Sequence, residues 1–196
     1  MSRFPPRAVI ASQNAHKVEE IIRICTDWPT VLVTDPFSPH VEETGETYLE
    51  NARLKAEAVA RATGTAALAD DSGIEVDALG GGPGPRSARY TGEGATDQAN
   101  LRALLRAVAG VPSGGRTARY RAVAVLAWPD GAQVHAEGVC EGLLRTRPRG
   151  EGGFGYDPIF EPVGWDRTMA ELEPEEKDRI SHRGRALRAL AEILRG

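Results

Sequence analysis

The chain has 196 residues, of which 41% are hydrophobic and 27% are charged, an ordinary balance for a single globular domain. Its net charge of −4 argues against a general nucleic-acid-binding protein, because such proteins usually present a basic surface. No segment is apolar for the ~18 residues that a membrane span needs, and the N-terminal residues lack the apolar run of a signal peptide. Two widely separated cysteines, Cys25 and Cys140, form neither a zinc pattern nor a disulfide framework. We therefore expect a cytoplasmic protein without a nucleic-acid or membrane partner.

The first half of the chain predicts alternating strands and helices. Apolar residues recur at helical spacing from Val18 to Cys25, after a polar break at residues 12–14 that could cap the helix. A second helix is predicted over residues 47–63. The strands predicted in this half are residues 8–11, 30–34, 66–69 and 74–79.

The second half continues the alternation and adds one hairpin. Leucines at 101, 104 and 105 with Val108 predict a helix. Residues 120–128 and 132–144 predict two strands joined by the turn Pro129-Asp130-Gly131. A glycine-rich basic loop follows to residue 158, and the chain from residue 171 onward is expected to be mostly helix. Strands that alternate with helices, together with one hairpin, predict an α/β fold with a mixed sheet.

Lysine and asparagine are scarce in this sequence. Only three of the 24 basic residues are lysines, namely Lys17, Lys55 and Lys177, and only three asparagines occur, at 14, 51 and 100. A chain that otherwise uses arginine could keep a lysine where chemistry needs a compact ammonium group, although chance survival is the alternative.

The segment Ser12-Gln13-Asn14-Ala15-His16-Lys17 lies between a predicted strand and a predicted helix. Backbone N–H groups at a helix N-terminus favour an anion, and Lys17 could reach the same anion from the first turn. An ordinary strand–cap–helix connection that binds nothing is the alternative.

Two adjacent carboxylates, Asp70 and Asp71, follow the apolar residues 66–69. Their mutual repulsion needs to be offset by a cation or by hydrogen-bond donors, and carboxylates with phosphate are the usual ligands of Mg²⁺. The pair Glu42-Glu43 offers further oxygen ligands. The alternatives are a plain hairpin turn at Asp-Ser-Gly and a solvated charge pair at 42–43.

Residues 150–158 contain G-x-G-x-x-G, but the basic residues before it and Pro158 after it argue against a dinucleotide-binding turn. Aromatic residues among glycines suit the stacking of a flat base, and a plain turn is the alternative.

Lys177 and the segment Ser181-His182-Arg183 form a basic patch near a helix boundary. Such a patch would attract an anionic ligand, and a solvated helix face is the alternative.

These segments occur together in one family. The chain resembles the inosine triphosphate pyrophosphatase family, also called XTP/dITP diphosphatases, almost from end to end. The segments that carry the resemblance are SQNAHK (12–17), EETGETYLENARLKA (42–56), ADDSGIEVDALGGGPGPRSARYTG (69–92), GGFGYDPIF (152–160) and EEKDRISHRGRAL (175–187).

The resemblance implies an α/β fold with a long central mixed sheet flanked by helices, in one two-lobed domain over residues 1–196 with the active-site cleft between the lobes. It implies a homodimer that uses Mg²⁺ to hydrolyse ITP, dITP and XTP to the nucleoside monophosphate and pyrophosphate. Glu42 and Asp71 are the implied metal ligands, and Asp71 is also the implied general base. The implied substrate contacts are Ser12, Gln13, Asn14, Ala15, His16, Lys17, Lys55, Ser72, Phe154, Gly155, Tyr156, Asp157, Lys177, His182 and Arg183.

One position departs from the family pattern. Position 13 is glutamine, where the family usually has glycine. Glycine there would permit a positive φ or a close backbone approach, so the shape of this turn is open. Two other functions remain as alternatives to the enzyme: a non-catalytic purine-nucleotide-binding module, which would not need the Asp70-Asp71 pair, and a triphosphatase with a different nucleotide preference.

Overall fold

The computed structural model describes residues 3–196, which form a six-stranded sheet with helices. The strands are β1 (Arg7–Ile10), β2 (Val31–Val33), β3 (Ala66–Val76), β4 (Thr117–Ala127), β5 (Gln133–Leu144) and β6 (Phe160–Pro162). The α-helices are α1 (Ala15–Ile24), α2 (Tyr48–Thr63), α3 (Asp97–Ala107), α4 (Pro174–Ile180) and α5 (His182–Arg195). The α/β class predicted from the sequence is confirmed.

The sheet has the strand order β2-β1-β3-β4-β5-β6. Strand β1 pairs in parallel with β2 and with β3, whereas β5 pairs antiparallel with β6, so the sheet is mixed as expected. In the register of the β1–β3 pair, Val9 lies opposite Ala67 and Ile10 lies opposite Leu68. Strand β3 therefore lies inside the sheet, between β1 and β4.

The chain divides into two compact units. Unit 1 comprises the chain up to Asp71, Ala122–Gly138 and His182–Gly196. Alternate residues of β1 belong to different cores in this unit: Ala8 and Ile10 pack in a cluster with α1 and α5, whereas Val9 packs in a cluster with α2. This alternation follows from the two-residue period of a strand, and it gives unit 1 a three-layer arrangement of helix, sheet and helix.

Unit 2 comprises Ser72–Arg121 and Val139–Ser181 and has a core of its own. Ile74 and Val76 of β3 pack there with Leu101 and Leu104 of α3 and with Phe160 of β6. The single two-lobed domain and its cleft stay predictions.

The prediction of two short strands separated by a turn at residues 70–73 is wrong. Residues 66–76 form one continuous strand, and Asp70 and Asp71 lie inside it, only 1% and 3% exposed. Local propensity disfavours aspartate in a buried strand, but cationic and amide groups from distant parts of the sequence meet both carboxylates there. Tertiary contacts thus override the local turn signal.

Two smaller differences concern the second half of the chain. The C-terminal helical region is broken at Ser181 into α4 and α5, and the short strand β6 was not predicted. The helices predicted at 47–63 and around Leu101 are confirmed, and each begins at a threonine cap, Thr47 or Thr96. Within residues 3–196, no helix has both the length and the apolar character that a membrane crossing requires.

Candidate active site

Adjacent residues of a strand point to opposite faces of the sheet, and this separates the two aspartates of β3. Asp70 meets groups from α1 and α5, whereas Asp71 meets groups from α2. The two carboxylates therefore have different neighbours, although they are adjacent in sequence.

Asp70 forms a buried ionic cluster with Arg183, Glu20 and Lys17. Nε and Nη2 of Arg183 donate to Oδ2 of Asp70 at 3.0 and 2.8 Å, and Nη1 of Arg183 donates to Glu20. The ammonium group of Lys17 lies 3.5 Å from the same Oδ2. Arg183, which the sequence suggested as a substrate contact, is 1% exposed, and its guanidinium donates to the carboxylates of both Asp70 and Glu20.

Asp71 is held from helix α2. Nδ2 of Asn51 donates to Oδ2 of Asp71 at 3.3 Å, and Nζ of Lys55 lies 3.6 Å from Oδ1. Lys55 also donates to Glu43 at 2.5 Å and to the carbonyl of Asp70 at 2.8 Å. Lys55 thus ties the acidic loop before α2 to the carboxylates of β3.

The pKa shifts in this cluster follow from burial and from neighbouring charge. Burial raises the pKa of Asp71, and the charges of Lys55 and Lys17 offset only part of the rise. Burial acts in the same direction on Asp70, but Arg183, Lys17 and Lys55 outweigh it and hold the pKa of Asp70 far below its ordinary value. The pKa of Lys17 is lowered by burial despite Asp70. Strongly perturbed carboxylates beside cations are typical of functional sites.

The turn before α1 has the predicted cap. The side chain of Asn14 accepts from the backbone N–H of Lys17 at 3.1 Å, and Oγ of Ser12 accepts from the N–H of Asn14 at 3.3 Å. Gln13 does not need a positive φ, and its side-chain Oε1 lies 3.1 Å from Nδ1 of His40. Ala15 and His16 are exposed at the start of the helix, and the half-buried Lys17 reaches the Asp70 cluster from its first turn.

In unit 2, Asp157 is the centre of a second polar cluster. Its Oδ2 accepts from Nζ of Lys177 at 2.6 Å and from the N–H of Phe154 at 2.9 Å, and its Oδ1 accepts from the hydroxyl of Tyr120 at 3.1 Å. A Cβ at Gly153 would lie 2.1 Å from Oδ2, and Gly153 also has φ +68°, so this turn requires glycine. Both Asp157 and Lys177 are buried.

The remaining residues of the aromatic loop differ in exposure. Phe154 is half-buried, and the ammonium of Lys177 lies 5.1 Å from the centre of its ring. Gly155 donates its N–H to Asp97 at 2.9 Å, and the buried Tyr156 donates its hydroxyl to the carbonyl of Ser87 at 2.8 Å. Phe154 and Gly155 are therefore the accessible part of the predicted base-binding wall, and Tyr156 supports the loop from inside.

Oxygen atoms suited to a hard cation are present beside β3. Within residues 3–196, Oδ1 of Asp70 is buried without a hydrogen-bond partner, and Glu43 lies beside Lys55 near Asp71. No group of three or more His, Cys, Asp or Glu side chains in that range is arranged to hold a metal ion. The carboxylates beside β3 are of the type that Mg²⁺ uses, because Mg²⁺ usually binds through one or two carboxylates and takes its other ligands from water and phosphate.

The structure assembles part of the predicted site in unit 1 and adds residues that the sequence did not single out. Lys17, Lys55, Asp71 and Arg183 are linked through shared partners, whereas Glu42 is exposed on its loop and His182 is buried at the start of α5. Ser72, the next residue of β3, belongs to unit 2. The residues missed are Glu20 and Asn51. Glu43, which the sequence suggested as a metal ligand together with Glu42, is paired with Lys55. The scarcity of asparagine is the sequence signal that could have indicated Asn51.

Comparison with known proteins gives one consistent result. The sequence model of the Ham1 family matches residues 8–193. A dITP/XTP pyrophosphatase of Streptomyces coelicolor is 50% identical over 194 residues, which cover 96% of this chain and 97% of that protein. A HAM1 protein from Coxiella burnetii superposes with a TM-score of 0.86 at 41% identity, covering 96% of this chain and 98% of its own. A nucleoside-triphosphatase, or dITP/XTP pyrophosphatase, from Mycobacterium abscessus gives a TM-score of 0.74 at 43% identity, with 94% and 98% covered.

Proposed function

The chain belongs to the Ham1 family, and on that premise we propose that it hydrolyses non-standard purine nucleoside triphosphates, namely ITP, dITP and XTP, to the nucleoside monophosphate and pyrophosphate. It is an enzyme of the nucleoside triphosphate pyrophosphatase class, as are its named relatives. The observation that carries the proposal is the near full-length identity of 45–50% to proteins named dITP/XTP pyrophosphatase. Such an enzyme would remove deaminated purines from the nucleotide pool.

In this proposal, Lys17 and Lys55 bind phosphate oxygens of the substrate. Both ammonium groups lie beside the carboxylates of β3, where electrostatic interactions are strong because little water screens the charges. The capped N-terminus of α1, with Ser12 and Asn14, presents backbone N–H groups to the same anion. As pyrophosphate leaves, these groups offset the negative charge that develops on it.

Asp71 is the proposed general base. Burial raises the pKa of its carboxyl group, which makes the carboxylate a stronger proton acceptor than an exposed aspartate. Asn51 and Lys55 hold its two oxygens, so the carboxylate has a fixed direction from which to accept a proton from water. Arg183 and Glu20 fix Asp70, and through it Lys17, from the opposite face of the strand.

We propose Mg²⁺ as the cofactor, with Asp71 and Glu42 as the protein ligands. Glu43 is already held by Lys55, whereas the adjacent Glu42 is exposed on the same loop. When bound, Mg²⁺ would polarise the phosphorus centre and neutralise triphosphate charge.

We propose that Phe154 and Gly155 contact the base. The half-buried ring of Phe154 offers a flat apolar face, and backbone groups of the glycine-rich loop lie beside it. Hypoxanthine and xanthine present O6 as an acceptor and N1–H as a donor, which adenine reverses, so a donor aimed at O6 would reject adenine.

The proposed activity is tested by turnover of ITP, dITP, XTP, GTP, ATP, CTP and UTP, with Mg²⁺ and with a chelator. We expect turnover of the first three with Mg²⁺, and equal amounts of monophosphate and pyrophosphate. Diphosphate with orthophosphate as products would contradict the reaction, and preference for CTP or UTP would contradict the substrate. Binding of ITP without any turnover would favour the non-catalytic module.

We also propose that the enzyme is a cytoplasmic homodimer. Both cysteines are free and buried, as expected in a reducing compartment. The dimer follows from the family resemblance, and light scattering of the purified protein at two or more concentrations would test it. A monomer at every concentration would contradict the proposal.

A further inference from the structure

We propose that Asn51 is a positioning residue that fixes the orientation of the Asp71 carboxylate through a hydrogen bond to one of its oxygens. The inference rests on the proposed function, in which Asp71 is the general base. Asn51 is fully buried in the first turns of α2 and has 0% exposure. A buried amide has four hydrogen-bonding sites, and each one left without a partner costs free energy, so its partners indicate why it is there.

The two ends of the Asn51 side chain have different partners. Its Oδ1 accepts from the backbone N–H of Gly45 at 2.8 Å, and its Nδ2 donates to Oδ2 of Asp71 at 3.3 Å. The chemistry fixes this orientation of the amide, because the N–H of Gly45 can only donate and an ionised carboxylate can only accept. Asn51 therefore connects the acidic loop to the proposed base.

Helix α2 holds both oxygens of Asp71. Lys55 lies four residues after Asn51, on the same helical face, and its ammonium is 3.6 Å from Oδ1 while Asn51 reaches Oδ2. With one contact on each oxygen, rotation of the carboxylate about its Cβ–Cγ bond would break at least one of them. The pair thus sets the direction in which Asp71 can accept a proton.

Gly45 makes the Asn51 contact possible. A Cβ at this position would lie 2.7 Å from Oδ1 of Asn51 and 2.6 Å from Cβ of Glu50, so any larger residue would displace the loop or the amide. The loop approaches Asn51 closely because residue 45 has no side chain.

Asn100 provides an internal comparison. It is the fourth residue after the capping Thr96 of α3, as Asn51 is the fourth after the capping Thr47 of α2. Its Oδ1 likewise accepts from a loop N–H, that of Thr91, at 2.9 Å, but its Nδ2 donates to the carbonyl of Ala88 at 2.9 Å. Both asparagines thus tie their helix to the loop before it, which is a structural role. Of the two, only Asn51 also donates to a carboxylate, and this difference supports a positioning role toward Asp71.

The test compares Asn51→Asp, Asn51→Ala and the control Asn100→Ala. The change to alanine removes the donor to Asp71 without adding a charge. The change to aspartate keeps the size of the side chain and an acceptor for Gly45, but places a second buried carboxyl group beside Asp71, where the two carboxyl groups repel each other or share a proton. We expect both changes to lower kcat for ITP about 10- to 100-fold, because a misplaced catalytic group costs about that much. In Asn51→Ala, we expect the KM and the calorimetric Kd for ITP to stay within about threefold of wild type, because the phosphate-binding groups are unchanged. Asn100→Ala breaks a matching bond to a loop, so it should lower the Tm about as much as Asn51→Ala and leave kcat within about twofold.

Three results would overturn the inference: wild-type kcat in Asn51→Ala, loss of ITP binding by that variant in parallel with kcat, or an equal fall of kcat in Asn100→Ala. If Asn51→Ala is unfolded at the assay temperature, as judged by circular dichroism, Gly45→Ala is judged by the same criteria. Turnover by the wild type decides the proposed function separately: a wild type inactive on every nucleotide would overturn that function and this inference together, whereas an active wild type with unaffected Asn51 variants would overturn the inference alone.

Discussion

Each unit of the molecule buries a cluster of charged groups, and the two clusters differ in composition. In unit 1, the carboxylates Glu20, Glu43, Asp70 and Asp71 meet the cations Lys17, Lys55 and Arg183. In unit 2, Asp157 meets Lys177 and two neutral donors, the hydroxyl of Tyr120 and the N–H of Phe154. The first cluster leaves Oδ1 of Asp70 without a partner within residues 3–196, whereas both oxygens of Asp157 are hydrogen-bonded.

Under the proposed function, the difference is between a cluster that takes part in the reaction and one that supports a loop. Buried carboxylates with unequal neighbours have divergent pKa values, lowered at Asp70 and raised at Asp71, and such divergence suits a site that binds an anion and moves a proton. A pair closed by hydrogen bonds, such as Asp157 with Lys177, holds a loop in place. We therefore expect mutations in the unit 1 cluster to affect the rate as well as stability, and mutations of the Asp157–Lys177 pair to affect mainly stability.

The largest expected effect is that of Asp71→Asn on turnover. The amide keeps the size of the side chain but cannot accept a proton from water and is a weaker ligand for a hard cation, so kcat for ITP should fall by about 10²–10⁴-fold or more. Calorimetry should show that ITP still binds, because Lys17 and Lys55 are unchanged. Asp157→Asn is the matched change in unit 2 and should lower the Tm more than kcat. Turnover by Asp71→Asn within about tenfold of wild type would exclude Asp71 as the base and direct attention to Asp70 or Glu42.

The next effect is on the free energy of unfolding when a buried cation is removed. Arg183→Met leaves Asp70 and Glu20 without their shared guanidinium, and Lys177→Met leaves Asp157 without its ammonium; loss of one partner from a buried pair costs about 3–5 kcal/mol. Urea denaturation should give the larger loss for Arg183→Met, because two carboxylates lose their partner. Equal losses, or a larger loss for Lys177→Met, would mean that the second carboxylate bound by Arg183 adds nothing to the stability that Arg183 provides.

A smaller effect should appear as pH dependence of stability. The folded-state pKa of Asp70 is held well below the ordinary value of about 3.9, so its ionised form stabilises the fold above that pH and loses this contribution as the pH falls towards the folded-state pKa. The difference in unfolding free energy between wild type and Asp70→Asn should therefore be constant at neutral pH and shrink below about pH 4. Denaturation curves from pH 7 to pH 3 measure it. A difference that grows with acidity would contradict the lowered pKa.

The smallest effect should be the same in both units. Thr47 caps α2 and Thr96 caps α3, each accepting from the backbone N–H three residues on, at 3.2 Å in both helices. Replacement of either threonine by alanine should cost about 1 kcal/mol of unfolding free energy with little change in kcat. Urea denaturation of the two variants tests this, and a large loss of turnover in Thr47→Ala alone would show that the start of α2 contributes to catalysis beyond Asn51 and Lys55.

The sequence by itself determined the fold class, most of the elements and the family. Helical spacing predicted α1, α2 and α3, the turn at Pro129–Gly131 predicted the hairpin, and the motifs identified the family. These signals are local, because a capped amphipathic helix or a tight turn is specified by residues a few positions apart. The adjacent carboxylates at 70 and 71 were also correctly expected to need compensating groups.

Only the tertiary structure decided where those carboxylates lie and which groups compensate them. Residues 70–73 carry turn signals, yet they continue β3, because Arg183 and Lys17 meet Asp70 while Asn51 and Lys55 meet Asp71. Arg183 lies 113 residues from Asp70 in the chain, and no local pattern encodes a contact at that distance. The energy of a buried charge depends on which distant groups the fold brings to it, so the contacts of Arg183 and Asn51 with the two aspartates could be found only in the folded structure.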